Sequence, residues 1–166
     1  QPCQHIAGAH FIVNLLDQKL QRIIAHVVAK TIIDAHPEIS AWAIAGHSLG
    51  GAMACRYAAG DARVKVLILW AAYCDQSFDL SANASIAVTS ISAALDGLAT
   101  PAKVSSTKLY APSSTVYVSI AGMNHAQFGD YGAQSGDKPA TLSATVATQR
   151  VVAATLEALG QLEVKE

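Results

Sequence analysis

Apolar positions along the chain fall into two periods. Between Asp17 and Ala35, Leu20, Ile23, Ile24, Val27, Val28 and Ile32 recur at helical spacing, which predicts an amphipathic helix ended by Pro37. Val64-Lys65-Val66-Leu67-Ile68-Leu69-Trp70 is a nearly unbroken apolar run, as expected of a parallel strand covered on both faces. Shorter runs at His10–Val13, Trp42–Ala45, Ile86–Ile91 and Thr115–Ile120 read as further strands. Helices are expected over Ala52–Ala59, with Gly60 at its C-terminus, and over Thr141–Leu159, with Val146, Val151, Ala154, Leu156 and Leu159 as apolar contacts. A short helix opens with Thr100 as N-cap and Pro101 in its first position. Strands alternating with helices predict an α/β chain with a mostly parallel, doubly wound sheet, in one domain over residues 1–166.

The sharpest feature is the punctuation after Trp42–Ala45. Gly46-His47-Ser48-Leu49-Gly50-Gly51 places a serine between an expected strand and an expected helix, the setting of a G-x-S-x-G nucleophile elbow. Such a turn strains the serine backbone, and the positions two before and two after it, Gly46 and Gly50, are expected to need bare backbone. Ser48 would stand at a helix N-terminus, where the dipole favours developing negative charge, and the Leu49 N–H would be an oxyanion donor.

A serine hydroxyl attacks only when a base takes its proton and an acid orients that base. In open parallel sheets such groups collect beyond the carboxyl ends of strands. Asp96 follows the strand ending at Ile91, and His125 follows the strand ending at Ile120. The order Ser48, Asp96, His125 is that of α/β-hydrolases. Asp75 is the rival acid; its alternative is a solvated loop carboxylate. Asp79, Asp130 and Asp137 read as turn or capping residues. His47, in the variable position of the elbow, and Asn124 are candidates to flank the pocket. His26 and His36 read as surface or partly packed, and His5 and His10 lie too far upstream to place.

Composition narrows the class. The chain is 52% hydrophobic and 14% charged, which suits a packed core rather than a disordered segment. A net charge of −1 gives no electrostatic reason to expect nucleic acid or an anionic membrane as partner. No apolar run reaches membrane-spanning length. No histidine pair has metal-ligand spacing, and neither a metal nor another cofactor is implied. Three cysteines, Cys3, Cys55 and Cys74, cannot all pair, and the preferred reading is buried or free thiols, with the compartment open.

These stretches resemble the alpha/beta hydrolase superfamily, and more narrowly a bacterial group sometimes called family 5. The likeness is carried by Ala35-His36-Pro37-Glu38-Ile39, by the run from Trp42 through the elbow to Ala54, by Leu95-Asp96-Gly97-Leu98-Ala99-Thr100, and by Gly122 through Asn124-His125-Ala126-Gln127-Phe128-Gly129-Asp130-Tyr131-Gly132 to Gly136-Asp137. The resemblance implies Ser48 as nucleophile, Asp96 as acid, His125 as base, and hydrolysis of a carboxylic ester or related acyl compound. It also departs in two places. Ala93-Ala94 stands where the family tends to have a glycine and a small polar residue. Members normally carry further strands ahead of the region matched by His10–Val13, one of which precedes the loop giving the second oxyanion N–H; Gln1–Ala9 is too short for them. Loss of one such donor costs on the order of 10²–10³ in rate. Two other readings therefore accompany the serine esterase: a weak or inactive unit that acts by self-association or partner binding, with an exposed sheet edge inviting a homo-oligomer, and an acyltransferase using the same triad. Segment Asp75–Ser85 is polar and could form only a small lid, which favours a small ester.

Overall fold

The computed structural model describes residues 18–129 and 132–162; the expected strand at His10–Val13, together with Cys3, His5, His10 and Asp130, lies outside them. Four strands, β1 (Trp42–His47), β2 (Val64–Trp70), β3 (Ala87–Ala93) and β4 (Val116–Ile120), form one sheet in the order β1-β2-β3-β4. Every neighbouring pair is parallel, with Ile44 opposite Leu67, Leu67 opposite Val88 and Ile91 opposite Val118. Parallel neighbours require crossovers: α2 (Leu49–Gly60) lies between β1 and β2 and α3 (Pro101–Ser106) between β3 and β4, while α1 (Gln18–Asp34) precedes β1 and α4 (Ala144–Leu159) follows β4.

Both faces of the sheet are covered at its centre, as β2 shows, whereas Val116 and Tyr117 of the edge strand β4 are exposed. Leu67 and Leu69 enter a core with Ile33 of α1 and Ala54, Cys55, Tyr57 and Ala58 of α2. The alternate residues Val66 and Ile68 enter a second core with Ala147 and Ala158 of α4. The period-two alternation of a strand thus serves two hydrophobic layers, which is why its sequence is apolar almost throughout. Arg63 ties the ends of both helices of the first layer to the β2 entry, bonding Asp34 at 2.7 Å and Asp61 at 2.6 Å.

Several details depart from the expected pattern. α2 begins at Leu49, three residues earlier than expected, so the helix starts directly after Ser48. α4 begins at Ala144 because the Ser143 hydroxyl accepts the Val146 N–H and caps it there. In α1, Val27, Val28 and Ile32 are exposed, while Ala29 and Ile33 make the core contacts; Leu156 of α4 is 63% exposed. Periodicity marks an apolar stripe but does not say which part of it a neighbour covers. Cys55 and Cys74 form a disulfide, which corrects the expectation of free thiols. The two positions are 19 residues apart, yet α2 folds back along β2 and brings their Cα atoms to 5.7 Å.

Candidate active site at the carboxyl end of the sheet

All strands run the same way, so the residues after β1, β3 and β4 share one end of the sheet, and Ser48, Asp96 and His125 follow those three strands. Ser48 has φ 52° and ψ −121°, a conformation that side chains other than glycine's adopt at a cost. The turn is held by its backbone: Ser48 N–H donates to the Trp70 carbonyl at 2.9 Å, and the Ser48 carbonyl accepts from Gly51 and Ala52 at 3.0 and 3.2 Å. Leu49 is the first residue of α2, so its N–H has no acceptor within the helix.

The turn needs glycine at two positions, Gly46 as expected and Gly51 in place of the expected Gly50. A Cβ at Gly46 would lie 2.4 Å from the Gly50 carbonyl carbon. A Cβ at Gly51 would lie 2.3 Å from the Ala72 methyl and 2.7 Å from the Gly46 carbonyl oxygen. A Cβ at Gly50 would meet nothing within 4 Å. The close approach of strand to helix passes over Gly51, one residue later than expected.

Asp96 and His125 form a buried pair. His125 Nδ1 lies 2.8 Å from Asp96 Oδ2, and the two side chains are 2% and 0% exposed. The other carboxylate oxygen, Oδ1, accepts the N–H groups of Leu98 and Ala99 at 2.8 and 2.7 Å. A carboxylate that only accepts makes Nδ1 the donor and leaves Nε2 as the basic nitrogen of a neutral imidazole. Asp75, the rival acid, is exposed and accepts the Ser77 N–H of a 3₁₀ turn at 2.8 Å.

His125 is set by a capped 3₁₀ turn, His125–Phe128. Asn124 Oδ1 accepts the Gln127 N–H, and Gln127 Oε1 accepts the Asn124 N–H. Asn124 Nδ2 donates to the Lys138 carbonyl at 2.7 Å, so Asn124 serves as a cap. The His47 ring lies beside His125, with centroids 4.5 Å apart, and stacks on Phe128 at 5.6 Å. Burial pushes the His47 imidazole down to about 4; a protonated His125 would add to this, while Asp96 and the His125 backbone oppose it.

The expected lid is anchored rather than loose. Phe78 packs against the first core, Leu80 is 2% exposed, and Leu80 N–H donates to the Tyr110 carbonyl at 3.0 Å. Among the other histidines, His36 Nδ1 lies 3.0 Å from Glu38 Oε1, and the His26 ring lies 5.1 Å from Tyr57. Among the described residues no group of three or more His, Cys, Asp or Glu is placed to hold a metal ion, and no helix is long and apolar enough to cross a membrane.

Asp137 has a larger place than the turn residue expected from sequence. It accepts N–H bonds from Gly97 and Ala126, the residues that follow Asp96 and His125. The available signal was Gly136-Asp137 at the end of a Gly-rich loop, which does not name distant partners.

Compared with solved structures, the chain resembles an esterase domain from Rhodothermus marinus, with a TM-score of 0.56 and 17% identity over 80% of this chain and 65% of that one. It also resembles a putative dienelactone hydrolase from Klebsiella pneumoniae, with a TM-score of 0.50 and 20% identity over 84% of this chain and 60% of that one. The chain spans less than two thirds of the length of these structures, and at such identities the likeness concerns the fold. None of the curated proteins compared matches it. Residues 3–149 match the family model described as alpha/beta hydrolase family, and with the parallel sheet and the elbow in place the chain belongs to that family.

Proposed function

We propose that the protein is a serine hydrolase that cleaves a carboxylic ester or related acyl compound through an acyl-enzyme. The observation that carries this reading is the buried Asp96–His125 hydrogen bond at the same end of the sheet as the strained Ser48. Ser48 Oγ attacks the acyl carbon while His125 Nε2 takes its proton. Asp96 holds the imidazole and stabilises its charge, and the Leu49 N–H at the start of α2 receives the oxyanion. Collapse breaks the bond to the leaving alcohol, which takes the proton from His125. Water, deprotonated by the same nitrogen, then attacks the acyl carbon; the bond to Ser48 Oγ breaks, Oγ takes the proton from His125, and the acid leaves.

The names of the two related structures, an esterase domain and a putative dienelactone hydrolase, support ester-type chemistry as the class. Turnover of p-nitrophenyl acetate by the purified chain tests the reading. Ser48→Ala should lower kcat by as much as about 10⁶-fold, and Asp96→Asn by about 10⁴-fold. A Ser48→Ala variant that hydrolyses the ester at the wild-type rate would sink it.

A further inference from the structure

Asp137 lies outside the three residues of the proposed reaction, yet its carboxylate joins the two loops that carry the acid and the base. Oδ1 accepts from Gly97 N–H at 3.0 Å and from Lys138 N–H at 2.9 Å, and Oδ2 accepts from Ala126 N–H at 3.0 Å. Gly97 is the residue after Asp96, and Ala126 the residue after His125. The bond to Lys138 is a local turn contact, but those to Gly97 and Ala126 span 40 and 11 residues, and no turn requires them.

The surroundings are shaped to this contact. A Cβ on Gly97 would lie 2.2 Å from the Gly136 carbonyl oxygen and 2.9 Å from the Asp137 Cα, so the acid loop presents bare backbone where the Asp137 loop docks. Gly136 itself has φ +86°, which the docking turn requires. The same segment is strapped to the base loop by Asn124 Nδ2 on the Lys138 carbonyl, by Gln127 Nε2 on the Leu142 carbonyl, and by Thr141 and Leu142 N–H on the Gly122 carbonyl. Burial alone would raise the Asp137 carboxyl, but the backbone N–H groups of Gly97, Ala126, His125 and Lys138 outweigh it and hold the group below its ordinary range, so it is ionised.

We propose that Asp137 is a positioning residue whose carboxylate ties the peptide after Asp96 to the peptide after His125 and thereby holds the carboxylate–imidazole pair in register. This rests on the reading of that pair as the acid and base of an ester hydrolase. The isosteric change Asp137→Asn separates positioning from space filling. In either orientation of the introduced amide, its NH₂ faces a backbone N–H of one of the two loops, so one loop loses its acceptor.

The test compares wild type, Asp137→Asn and Asp79→Asn in the full chain, each shown folded by circular dichroism. Asp79 serves as the control because its carboxylate is exposed and is bonded by nearby Ser81, through both the backbone N–H and the side-chain hydroxyl. Two readouts are taken: kcat and KM for p-nitrophenyl acetate, and the far-downfield proton resonance of an imidazole Nδ1–H bonded to carboxylate, assigned by its loss in His125→Gln. Asp137→Asn should lower kcat on the order of 10²-fold with KM little changed, and broaden the resonance into solvent exchange, because a small misplacement of reacting groups has that cost. Asp79→Asn should change neither. Wild-type kcat and an unaltered resonance in Asp137→Asn would overturn the proposal. A folded wild type that shows the resonance but no turnover would remove the hydrolase reading while leaving the resonance to judge Asp137. Should Asp137→Asn fail to fold, Asp137→Ser decides by the same readouts, since its hydroxyl can keep the local turn to Lys138 but cannot reach both loops.

Discussion

His47 illustrates how one buried side chain makes stability depend on pH. Its imidazole stays neutral in the folded chain down to about 4, whereas the unfolded chain takes a proton below its ordinary 6.5. Below 6.5 the unfolded state therefore binds more protons than the folded one, so the His47 contribution is complete above 6.5 and is lost as pH falls towards 4. The loss reaches up to about 3 kcal/mol, since each pH unit between the two values is worth about 1.4 kcal/mol. Urea unfolding at pH 7 and at about pH 4.5, inside the window where the two states bind protons differently, checks this: wild type should lose more stability on acidification than His47→Gln. Parallel losses in the two proteins would show that His47 is not the group responsible. For the proposed reaction the same residue-level reasoning favours Asp96 over Asp75 as the orienting acid, because both oxygens of Asp96 are engaged within 2.8 Å and it is fully buried, while Asp75 is exposed.

The elbow is a statement about elements: a strand and a helix cross so closely that certain side chains have no room. Gly46→Ala and Gly51→Ala each place a methyl within 2.4 Å of atoms across the crossing, and both should prevent the turn from closing, seen as loss of cooperative thermal unfolding. Gly50→Ala meets open space in the first turn of α2 and should stabilise the protein by about 0.5–1 kcal/mol, through the lower backbone entropy cost of alanine in a helix. Equal effects at positions 50 and 51 would contradict the observed crossing. β2, the capped start of α3 at Thr100 and the strand-turn-helix around Ser48 were legible in the chain because each depends on neighbours in sequence. The glycine that matters after Ser48 was not, since its partner Ala72 comes from the loop just past β2.

Across the whole molecule, contacts between distant segments decide what local patterns leave open. Pairing of Cys55 with Cys74 could not be chosen from three cysteines, because it depends on α2 returning along β2. Closing a loop of that length contributes about 3 kcal/mol by restricting the unfolded chain. Reduction by dithiothreitol, or Cys55→Ala with Cys74→Ala, should lower unfolding free energy by that amount; an unchanged denaturation midpoint would contradict it. The bond also fastens the helix that begins at the elbow to Cys74, the residue just before the anchored segment Asp75–Ser85. Asp137 was obscure for the same reason, as its partners lie 40 and 11 residues away. Candidate site residues were found in the loops just past the carboxyl ends of the strands, which parallel topology gathers at one end of the sheet; the Asp137 loop, further along the chain from the last strand, is outside that rule.

The central claim is that Ser48 is activated by His125, and labelling by a fluorophosphonate probe tests it most directly, since the probe reacts appreciably only with a serine whose proton has a base to take it. The account predicts labelling of the folded wild-type chain that disappears in Ser48→Ala and in His125→Gln. A folded wild-type sample that takes up no label, or a Ser48→Ala variant that labels as well as wild type, would contradict it.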